Sequence, residues 1–387
     1  MKSSVLRLLL ALAFFAAAAP AAAQGDAGAS PAETPSPAAR PAEAPPAPPA
    51  VIHIAAVGDI MMGTTFPEEI LPPKDGATLF REVRPLLEGS DIVLGNLEGA
   101  LLEGGKSPKC GNYRPGPGVK PCFAFRSPPR YARHLKEAGF DALSVANNHT
   151  LDFGMEGMDN TLSALDNAGI QPVGGRRVAL FTAGGKRIAV AGFSYSTPTP
   201  YVFPMLDIPR AKEIVAELKS MHDLVVVSFH GGAEGSAALD VRDADEEFLG
   251  EKRGNPVRFA RAVVDAGADL VLGHGPHVPR AIEIYRGRLI AYSLGNFAVY
   301  SMFNIKGPSG LGYVLRATLS ADTGEVLSFR TPSTALRHPG IPHVDREEKA
   351  EALLRKLSEE LLAGEPDAEA RRIRLSDAWR RWAVPDP

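Results

Sequence analysis

This chain contains little cysteine and carries little net charge. Only two of its 387 residues are cysteine, Cys110 and Cys122, and the formal net charge is −3. The low cysteine count excludes a disulfide-dense small scaffold, and the balanced charge provides no basic patch of the kind that binds nucleic acid. Because the two cysteines bracket a short loop rich in glycine and proline, they are predicted to form a disulfide in an oxidising compartment; two free thiols are the alternative.

Long hydrophobic runs are also scarce, and the one that stands out lies near the N-terminus. Residues 8–19 are apolar, follow Lys2 and Arg7, and are succeeded by a proline and three alanines. The run is shorter than the roughly 20 residues that span a bilayer. This pattern predicts a signal peptide over residues 1–23, cleaved before Gln24, and hence export to the periplasm or the extracellular space; an uncleaved membrane anchor is the alternative.

Composition divides the rest of the chain into three segments. Residues 24–50 are almost entirely alanine, proline, serine and glutamate, which predicts an extended linker without a core. Residues 51–340 carry the pattern of a folded domain. Residues 341–387 are rich in charge and predict a helical extension, which either packs on the domain or forms an appendage.

Within the domain, β-branched runs alternate with helical patterns. The predicted strands cover residues 51–57, 91–94, 141–145, 187–192, 224–229, 270–272, 289–293 and 312–319. The predicted helices cover residues 77–88, 129–138, 157–167, 208–221 and 256–265, with 347–362 and 368–382 in the extension. This alternation predicts an α/β fold with helices covering both faces of a sheet. Gly139, Gly169 and Gly267 each follow an alanine where a helix is expected to end in the left-handed conformation.

Several apolar strands run directly into clusters of polar residues and glycines. The clusters are Gly58-Asp59, Gly95-Asn96-Leu97-Glu98, Asn147-Asn148-His149, His230-Gly231-Gly232 and Gly273-His274-Gly275-Pro276-His277. Ligands of α/β sheets bind beyond the carboxyl ends of the strands, so these clusters are expected to share one crevice. Imidazole, carboxylate and amide oxygen together suit one or two divalent ions such as Mn, Fe, Zn or Mg. The alternative is ordinary turns and hydrogen-bonded structural histidines.

These clusters belong to an ordered set of motifs that resembles the bacterial capsule-synthesis CapA family, which is linked to poly-γ-glutamate production. The motifs are GDIMM, GNLEG, FRSPP, AGFDALSVANNHTLDFG, SFHGGAE, LVLGHGPHV and YSLGNF. The resemblance extends from about Ile54 to Phe297. It implies a domain like that of calcineurin-type metallophosphoesterases, a β-sandwich flanked by helices in four αββα layers, rather than the single sheet that periodicity suggests.

The resemblance also implies roles for individual residues. His149 would protonate a leaving group, and a metal-activated water would attack a phosphoester or an amide such as polyglutamate. The implied metal ligands are Asp59, Glu98 (or, less readily, Asn96) at the bridging position, Asn148, His230, His274 and His277.

Other residues are candidates for contacts with a substrate. Asn96 and Asn296 end strands beside the clusters, and Asn296 is expected to orient a ligand. Arg126 could bind an anionic group in a bidentate manner, with a surface ion pair as the alternative. Glu234 could add a carboxylate to the site, with a solvated loop charge as the alternative.

Three departures from the phosphoesterase pattern weigh against phosphatase activity, and the first of them favours a second interpretation. Met61 stands where those enzymes carry a histidine after the first aspartate, two residues separate His274 from His277 instead of one, and Asn96 replaces the usual aspartate. The chain could therefore be a non-catalytic component of a capsule polymer synthesis or export complex that binds an anionic polymer. A third interpretation has the C-terminal helices recruiting a complex at the cell surface.

Overall fold

The computed structural model describes residues 50–111, 122–175, 177–196 and 202–380. The predicted signal peptide (1–23) and all but the last residue of the predicted linker lie outside these residues. In the described part of the chain, no helix combines the length and the apolar character that a membrane crossing requires.

The described strands and helices follow the chain in this order. The strands are β1 (Val51–Met61), β2 (Ile92–Leu97), β3 (Ala100–Leu101), β4 (Arg126–Ser127), β5 (Ala142–Ser144), β6 (Gln171–Val173), β7 (Ala179–Ala183), β8 (Lys186–Ser194), β9 (Phe203–Pro204), β10 (Leu224–His230), β11 (Glu246–Phe248), β12 (Glu251–Gly254), β13 (Leu270–His274), β14 (Pro279–Tyr285), β15 (Arg288–Leu294), β16 (Asn296–Val299), β17 (Leu311–Tyr313), β18 (Leu315–Ser320), β19 (Val326–Arg330), β20 (Ser333–Arg337) and β21 (Ile341–Val344). The α-helices are α1 (Ala132–Ala138), α2 (Gly154–Asn167), α3 (Ile208–Met221), α4 (Pro256–Asp265), α5 (Lys349–Leu362) and α6 (Ala368–Ala378).

Most strands belong to two seven-stranded sheets. One has the order β19-β18-β1-β2-β5-β6, with β16 also paired to β1, and the other has the order β14-β15-β13-β10-β8-β7, with β9 also paired to β8. In the first sheet β1, β2, β5 and β6 run parallel and β18 is antiparallel to β1. In the second sheet β8, β10, β13 and β15 run parallel, whereas β7 and β14 are antiparallel to their neighbours. The carboxyl ends of β1 and β2, and of β10 and β13, therefore lie at the same edge of their own sheet.

The two sheets pack face to face, with helices on their outer faces. Along β1, Ile52 and Ile54 point into the core between the sheets, whereas Ala55 and Val57 point into the core beneath α1 and α2. The third core joins the second sheet to α3 and α4. This confirms the four-layer αββα arrangement that the family resemblance implies. The single sheet suggested by periodicity is wrong, because strands buried on both faces read alike whichever sheet they join.

The C-terminal helices pack on the domain. Leu354 and Leu362 of α5, together with Trp379 after α6, belong to the same buried core as the facing sides of the two sheets. The carboxylate of the fully buried Glu283 on β14 accepts hydrogen bonds from Arg261 on α4 and, at 2.5 Å, from Arg371 on α6. Both charged and apolar contacts therefore attach the C-terminal helices to the domain.

We expect Arg371→Met to lower the free energy of unfolding by about 2 kcal/mol, because it removes a charged donor from a buried carboxylate. Arg374→Met is the matched control: Arg374 lies on the same helix, is exposed, and its replacement is expected to change stability by less than about 0.5 kcal/mol. Urea unfolding measures both. Equal stability of the two variants would contradict the attachment described here.

One predicted helix, over residues 77–88, is wrong. The segment forms successive turns and a short 3₁₀ helix at Arg84–Leu86. Pro85 has no amide hydrogen and its ring would clash with a preceding carbonyl in an α-helix, so the helix cannot form across it. The apolar side chains of the segment, including Leu79 and Phe80, are nevertheless buried under the first sheet.

Two smaller predictions are confirmed. Gly139, Gly169 and Gly267 have φ values of 108°, 73° and 116°, so each glycine takes the left-handed conformation expected at a helix end. Cys110 and Cys122 form a disulfide. Of the residues enclosed by it, 112–121 lie outside the described residues.

Candidate metal centre

The carboxyl ends of four central strands bring polar residues together. In the first sheet Asp59 of β1 lies in register with Asn96 of β2, and in the second sheet His230 of β10 lies in register with His274 of β13. Glycine permits this convergence: a Cβ atom at position 58 would meet the carbonyl oxygen of Gly295 at 1.8 Å. The ends of these strands thus place a group of acidic side chains next to a group of imidazole side chains.

Carboxylates and imidazoles are in close contact there. His277 Nδ1 lies 2.9 Å from Asp59 Oδ2, and His274 Nδ1 lies 3.5 Å from Asp59 Oδ1. His230 Nδ1 lies 3.8 Å from Glu98 Oε1. Candidate ligand atoms of Asp59, Glu98 and His277 all lie within 4.8 Å of one another. Five of the six predicted metal ligands are therefore assembled directly, and the sixth, Asn148, lies in the wall of the adjoining cleft with His149 and His277.

Several buried atoms of this cluster have no hydrogen-bond partner among the described residues. They are Glu98 Oε2, His230 Nε2, His274 Nδ1 and Asp59 Oδ2, which lies 2.9 Å from His277 Nδ1, together with Asn148 Oδ1 in the cleft wall. Buried polar atoms are rarely left unpaired, because each costs about 1–3 kcal/mol of desolvation. All five are nitrogen or oxygen atoms of metal-ligand type, so the donor set fits a divalent cation.

Two asparagines hold the carboxylates in place. Asn96 Nδ2 donates to Asp59 Oδ1 at 2.8 Å and lies 3.2 Å from Glu98 Oε1, so one amide group spans both acids. Asn147 Nδ2 donates to Asn96 Oδ1 at 3.0 Å, and Asn147 Oδ1 accepts from the backbone N–H of His149 at 3.0 Å. A continuous chain of hydrogen bonds therefore connects the acidic cluster to His149.

Asn296 fixes His277 rather than facing the cleft freely. Its Oδ1 lies 3.1 Å from His277 Nδ1, and its Nδ2 donates to the carbonyl of His277 at 3.2 Å. His277 has a φ of 58°, in the left-handed region that non-glycine residues rarely adopt. Such strain is found where surrounding contacts enforce it, often at functional sites.

His149 is held separately from the ligand cluster. Its Nδ1 lies 2.7 Å from Oδ2 of the fully buried Asp152, and its ring packs on Phe125 at 4.4 Å between centroids. Lys109 Nζ donates to Asp152 Oδ1 at 2.7 Å. Since Asp152 engages Nδ1, the other ring nitrogen of His149 is the one available to the cleft.

The sequence profile of the family described as bacterial capsule synthesis protein PGA_cap matches residues 53–301. The chain belongs to this family. Over 263 residues it is 30% identical to the PGA biosynthesis protein CapA of Bacillus subtilis (64% of this chain, 63% of that protein). Also over 263 residues, it is 32% identical to the capsule biosynthesis protein CapA of Bacillus anthracis (62% and 58%). The chain thus spans about three fifths of the length of these curated relatives.

A calcineurin-like phosphoesterase from Bacillus subtilis aligns with 81% of this chain and 98% of that chain, at 14% identity and a TM-score of 0.43.

In this family member, the electrostatics of the site favour a bound cation. Burial alone would raise the pKa of Asp59, but its contacts with His274 and His277 hold that pKa below its ordinary value. Burial and the neighbouring charge of Asp59 raise the pKa of Glu98 well above its ordinary value. Burial disfavours a charge on His277, yet Glu98 and Asp59 raise its pKa to about 10. Two carboxylates in one buried site thus create a negative potential that a proton or a metal ion relieves.

The pKa values of His230 and His149 are lowered instead of raised. Burial lowers the pKa of His230 well below its ordinary value, and burial also lowers the pKa of His149 despite the charge of Asp152. Neutral imidazole is the form that binds a metal, which suits His230, whereas His149 has to take up a proton before it can act as an acid.

A cleft of about 830 Å³ opens beside the cluster. Its walls include Asn148, His149 and His277 together with aromatic residues such as Phe123 and Phe303. Glu234 also lies in this wall, but its carboxylate is paired with Arg253 at 2.6 Å, so the structure places it beside the cluster rather than among the ligands.

The structure does not bring Arg126 to the cluster. Its guanidinium donates to the carbonyl of Gly105 at 2.7 Å, to the carbonyl of Thr65 at 2.7 Å and to the hydroxyl of Thr65 at 2.8 Å. The side chain stabilises neighbouring loops, which differs from both the anion contact and the surface ion pair considered from sequence.

Sequence reasoning gave no individual role to three residues that organise the site: Asn147, Asp152 and Lys109. Asp152 follows His149 by one helical turn's spacing, a signal that could have been read as an orienting carboxylate. Asn147 stood in one of the strand-end clusters, but its role could not be assigned because its partner Asn96 lies far away in sequence. Lys109 gave no signal, because its contacts join segments that are 39 to 43 residues apart.

Proposed function

We propose that the chain is an exported, metal-dependent hydrolase of the phosphoesterase type that acts in capsule or poly-γ-glutamate synthesis. The observation that carries this proposal is the set of buried ligand atoms without hydrogen-bond partners at the end of an open cleft. A purely structural polar cluster would pair these atoms internally.

The residues that would hold one or two divalent ions are Asp59, Glu98, Asn148, His230, His274 and His277. When bound, such an ion polarises a phosphoryl or carbonyl oxygen and lowers the pKa of water. Asn96 and Asn147 keep the carboxylates oriented, and Asn296 keeps the ring of His277 oriented.

His149 would supply the proton that the leaving group needs. The bond from Nδ1 to Asp152 fixes the imidazole and leaves Nε2 towards the cleft. To act as the acid, His149 must carry a proton on both ring nitrogens. When the bond between phosphorus and the leaving oxygen breaks, that oxygen takes the Nε2 proton of the imidazolium, which becomes a neutral imidazole with its Nδ1–H still on Asp152, and the product leaves as a neutral alcohol. A positioned acid of this kind contributes typically about 10²–10⁴-fold to the rate.

The proposed setting rests on three supports. Family membership connects the chain with capsule proteins, and the Bacillus subtilis relative is a PGA biosynthesis protein. The disulfide between Cys110 and Cys122 suits an oxidising compartment, as does the signal peptide expected from sequence. The partners proposed are an anionic polymer or phosphoester substrate and a capsule-synthesis complex at the membrane.

A second candidate is a non-catalytic module that binds the anionic polymer in the same cleft. Met61, which stands where phosphoesterases carry a metal-binding histidine, is fully buried and packs with Phe125 and Val299. One ligand of a two-metal site is therefore missing from this position, which favours weaker or single-metal binding.

Elemental analysis and turnover together separate the two candidates. For the hydrolase, we expect the purified mature protein to contain a stoichiometric divalent metal and to cleave a p-nitrophenyl phosphodiester or poly-γ-glutamate. A chelator should abolish cleavage, and restoring the metal should recover it. A fully metal-loaded protein that binds poly-γ-glutamate but hydrolyses neither substrate would refute the hydrolase and support the binding module.

A further inference from the structure

Lys109 places a positive charge directly behind His149. Its Nζ atom donates to Asp152 Oδ1 at 2.7 Å and to the carbonyl of Asn148 at 3.3 Å, and it lies 3.4 Å from His149 Nδ1. Asp152 is fully buried, so it needs such a partner, whereas Lys109 itself is about one third exposed, with a side-chain exposure of 35%. Lys109 is therefore held at two oxygen atoms, the carboxylate of Asp152 and the carbonyl of Asn148.

Asp152 is the point on which two separate segments converge. From the segment before the disulfide, Lys109 contacts its carboxylate and Ser107 Oγ donates to its carbonyl at 2.6 Å. From the segment after the disulfide, the backbone N–H of Phe125 donates to Asp152 Oδ2 at 2.8 Å. The same Oδ2 atom receives His149 Nδ1.

The disulfide joins these two segments beside the site. Cys110 directly follows Lys109, its backbone N–H lies 3.2 Å from Ser107 Oγ, and Cys122 lines the cleft with Lys109 and His149. The bond therefore restrains both sets of contacts that hold Asp152 in place.

We propose that Lys109 is a positioning residue for His149, and that the Cys110–Cys122 disulfide holds it there, so that the site is competent only in the oxidised protein. This inference rests on the proposed function for its catalytic consequence, but the orientation of the imidazole can be measured without any substrate. Without Lys109, Asp152 Oδ1 is left buried and unpaired, and the carboxylate is free to turn away from His149. Without the disulfide, the two segments are no longer held around Asp152.

The test uses the mature protein loaded with zinc and labelled with ¹⁵N-histidine. The variants are Lys109→Met, Lys109→Arg, Cys110→Ser/Cys122→Ser, and Lys106→Met as a control on an exposed lysine of the same segment. The Nδ1–H signal of His149 is assigned by its loss in His149→Gln. We measure its exchange rate with solvent, the zinc content, and kcat and KM on a p-nitrophenyl phosphodiester.

In the oxidised wild type, we expect a protected Nδ1–H signal. Lys109→Met and the cysteine double variant should exchange at least about 10-fold faster and lose about 10–100-fold in kcat, the usual effect of removing an orienting partner, with KM and zinc content little changed. Lys109→Arg should retain most of the protection and kcat, and Lys106→Met should match the wild type. Adding a phosphine reductant to the wild type should reproduce the double variant, and combining it with Lys109→Met should add little further.

Unchanged exchange and kcat in Lys109→Met, even with a lower melting temperature, would overturn the proposal and leave Lys109 a structural residue. Unchanged exchange after reduction would overturn the role of the disulfide. If no variant or wild-type protein hydrolyses the phosphodiester but the exchange rates change as expected, the proposed function fails and the positioning role stands.

Discussion

His149→Gln is expected to lower kcat for phosphodiester hydrolysis by about 10²–10⁴-fold while leaving metal content unchanged. His149 lies outside the closely packed ligand cluster, its Nδ1 is engaged by Asp152, and its ring lines the cleft. Glutamine keeps a group that can contact Asp152 but cannot transfer a proton. Single-turnover kinetics, metal analysis and thermal melting on one preparation measure the three quantities together.

A purely structural role of His149 would give a different combination of results. The ring of His149 packs on Phe125 and bonds to Asp152, so a purely structural role would appear as a lower melting temperature. In that case activity per folded molecule would equal that of the wild type. Asn148→Ala is the companion variant: it should weaken metal binding, which His149→Gln should not.

His230→Ala and His274→Ala are each expected to lower metal affinity by at least about 100-fold. Loss of a residue that merely orients a ligand already costs about 10–100-fold, and direct ligands are expected to cost more. Both side chains are almost fully buried, and each carries a ring nitrogen without a hydrogen-bond partner among the described residues. Equilibrium dialysis against zinc or manganese, followed by elemental analysis, measures the change.

His53→Ala is the matched control for these variants. His53 lies on the same strand as Asp59, but it is exposed and contacts Thr318, away from the cluster. Its replacement should leave metal binding unchanged. Full metal retention by both His230→Ala and His274→Ala, with circular dichroism confirming folded protein, would show that the ligand assignment is wrong.

Elements with strong local signals were predicted closely. The helices expected over residues 208–221 and 256–265 coincide with α3 and α4, since each begins beside an asparagine or aspartate cap and a proline. In contrast, the outer strand β14 was not predicted, and residues 77–88 were assigned a helix that Pro85 prevents. Periodicity reports which side chains are buried, and those of residues 77–88 are buried, but the backbone there is decided by one proline.

The sequence by itself determined which residue types lie in the site. Apolar strands that end in aspartate, asparagine and histidine place those side chains at strand ends, and this property depends only on local residue order. The family resemblance supplied the expectation of two sheets, which local periodicity could not, since a strand buried on both faces has the same pattern in either sheet.

Only the tertiary structure decided how these side chains are held. The contacts of Asn96 with Asn147, of Arg126 with Thr65, and of Lys109 with Asp152 each join residues between 43 and 61 positions apart. No local pattern encodes such distant pairings, because they depend on how the sheets stack and on where the disulfide closes the chain. Long-range packing therefore decides which role each side chain has: a candidate ligand, a residue that orients a ligand, or an arginine that stabilises a loop.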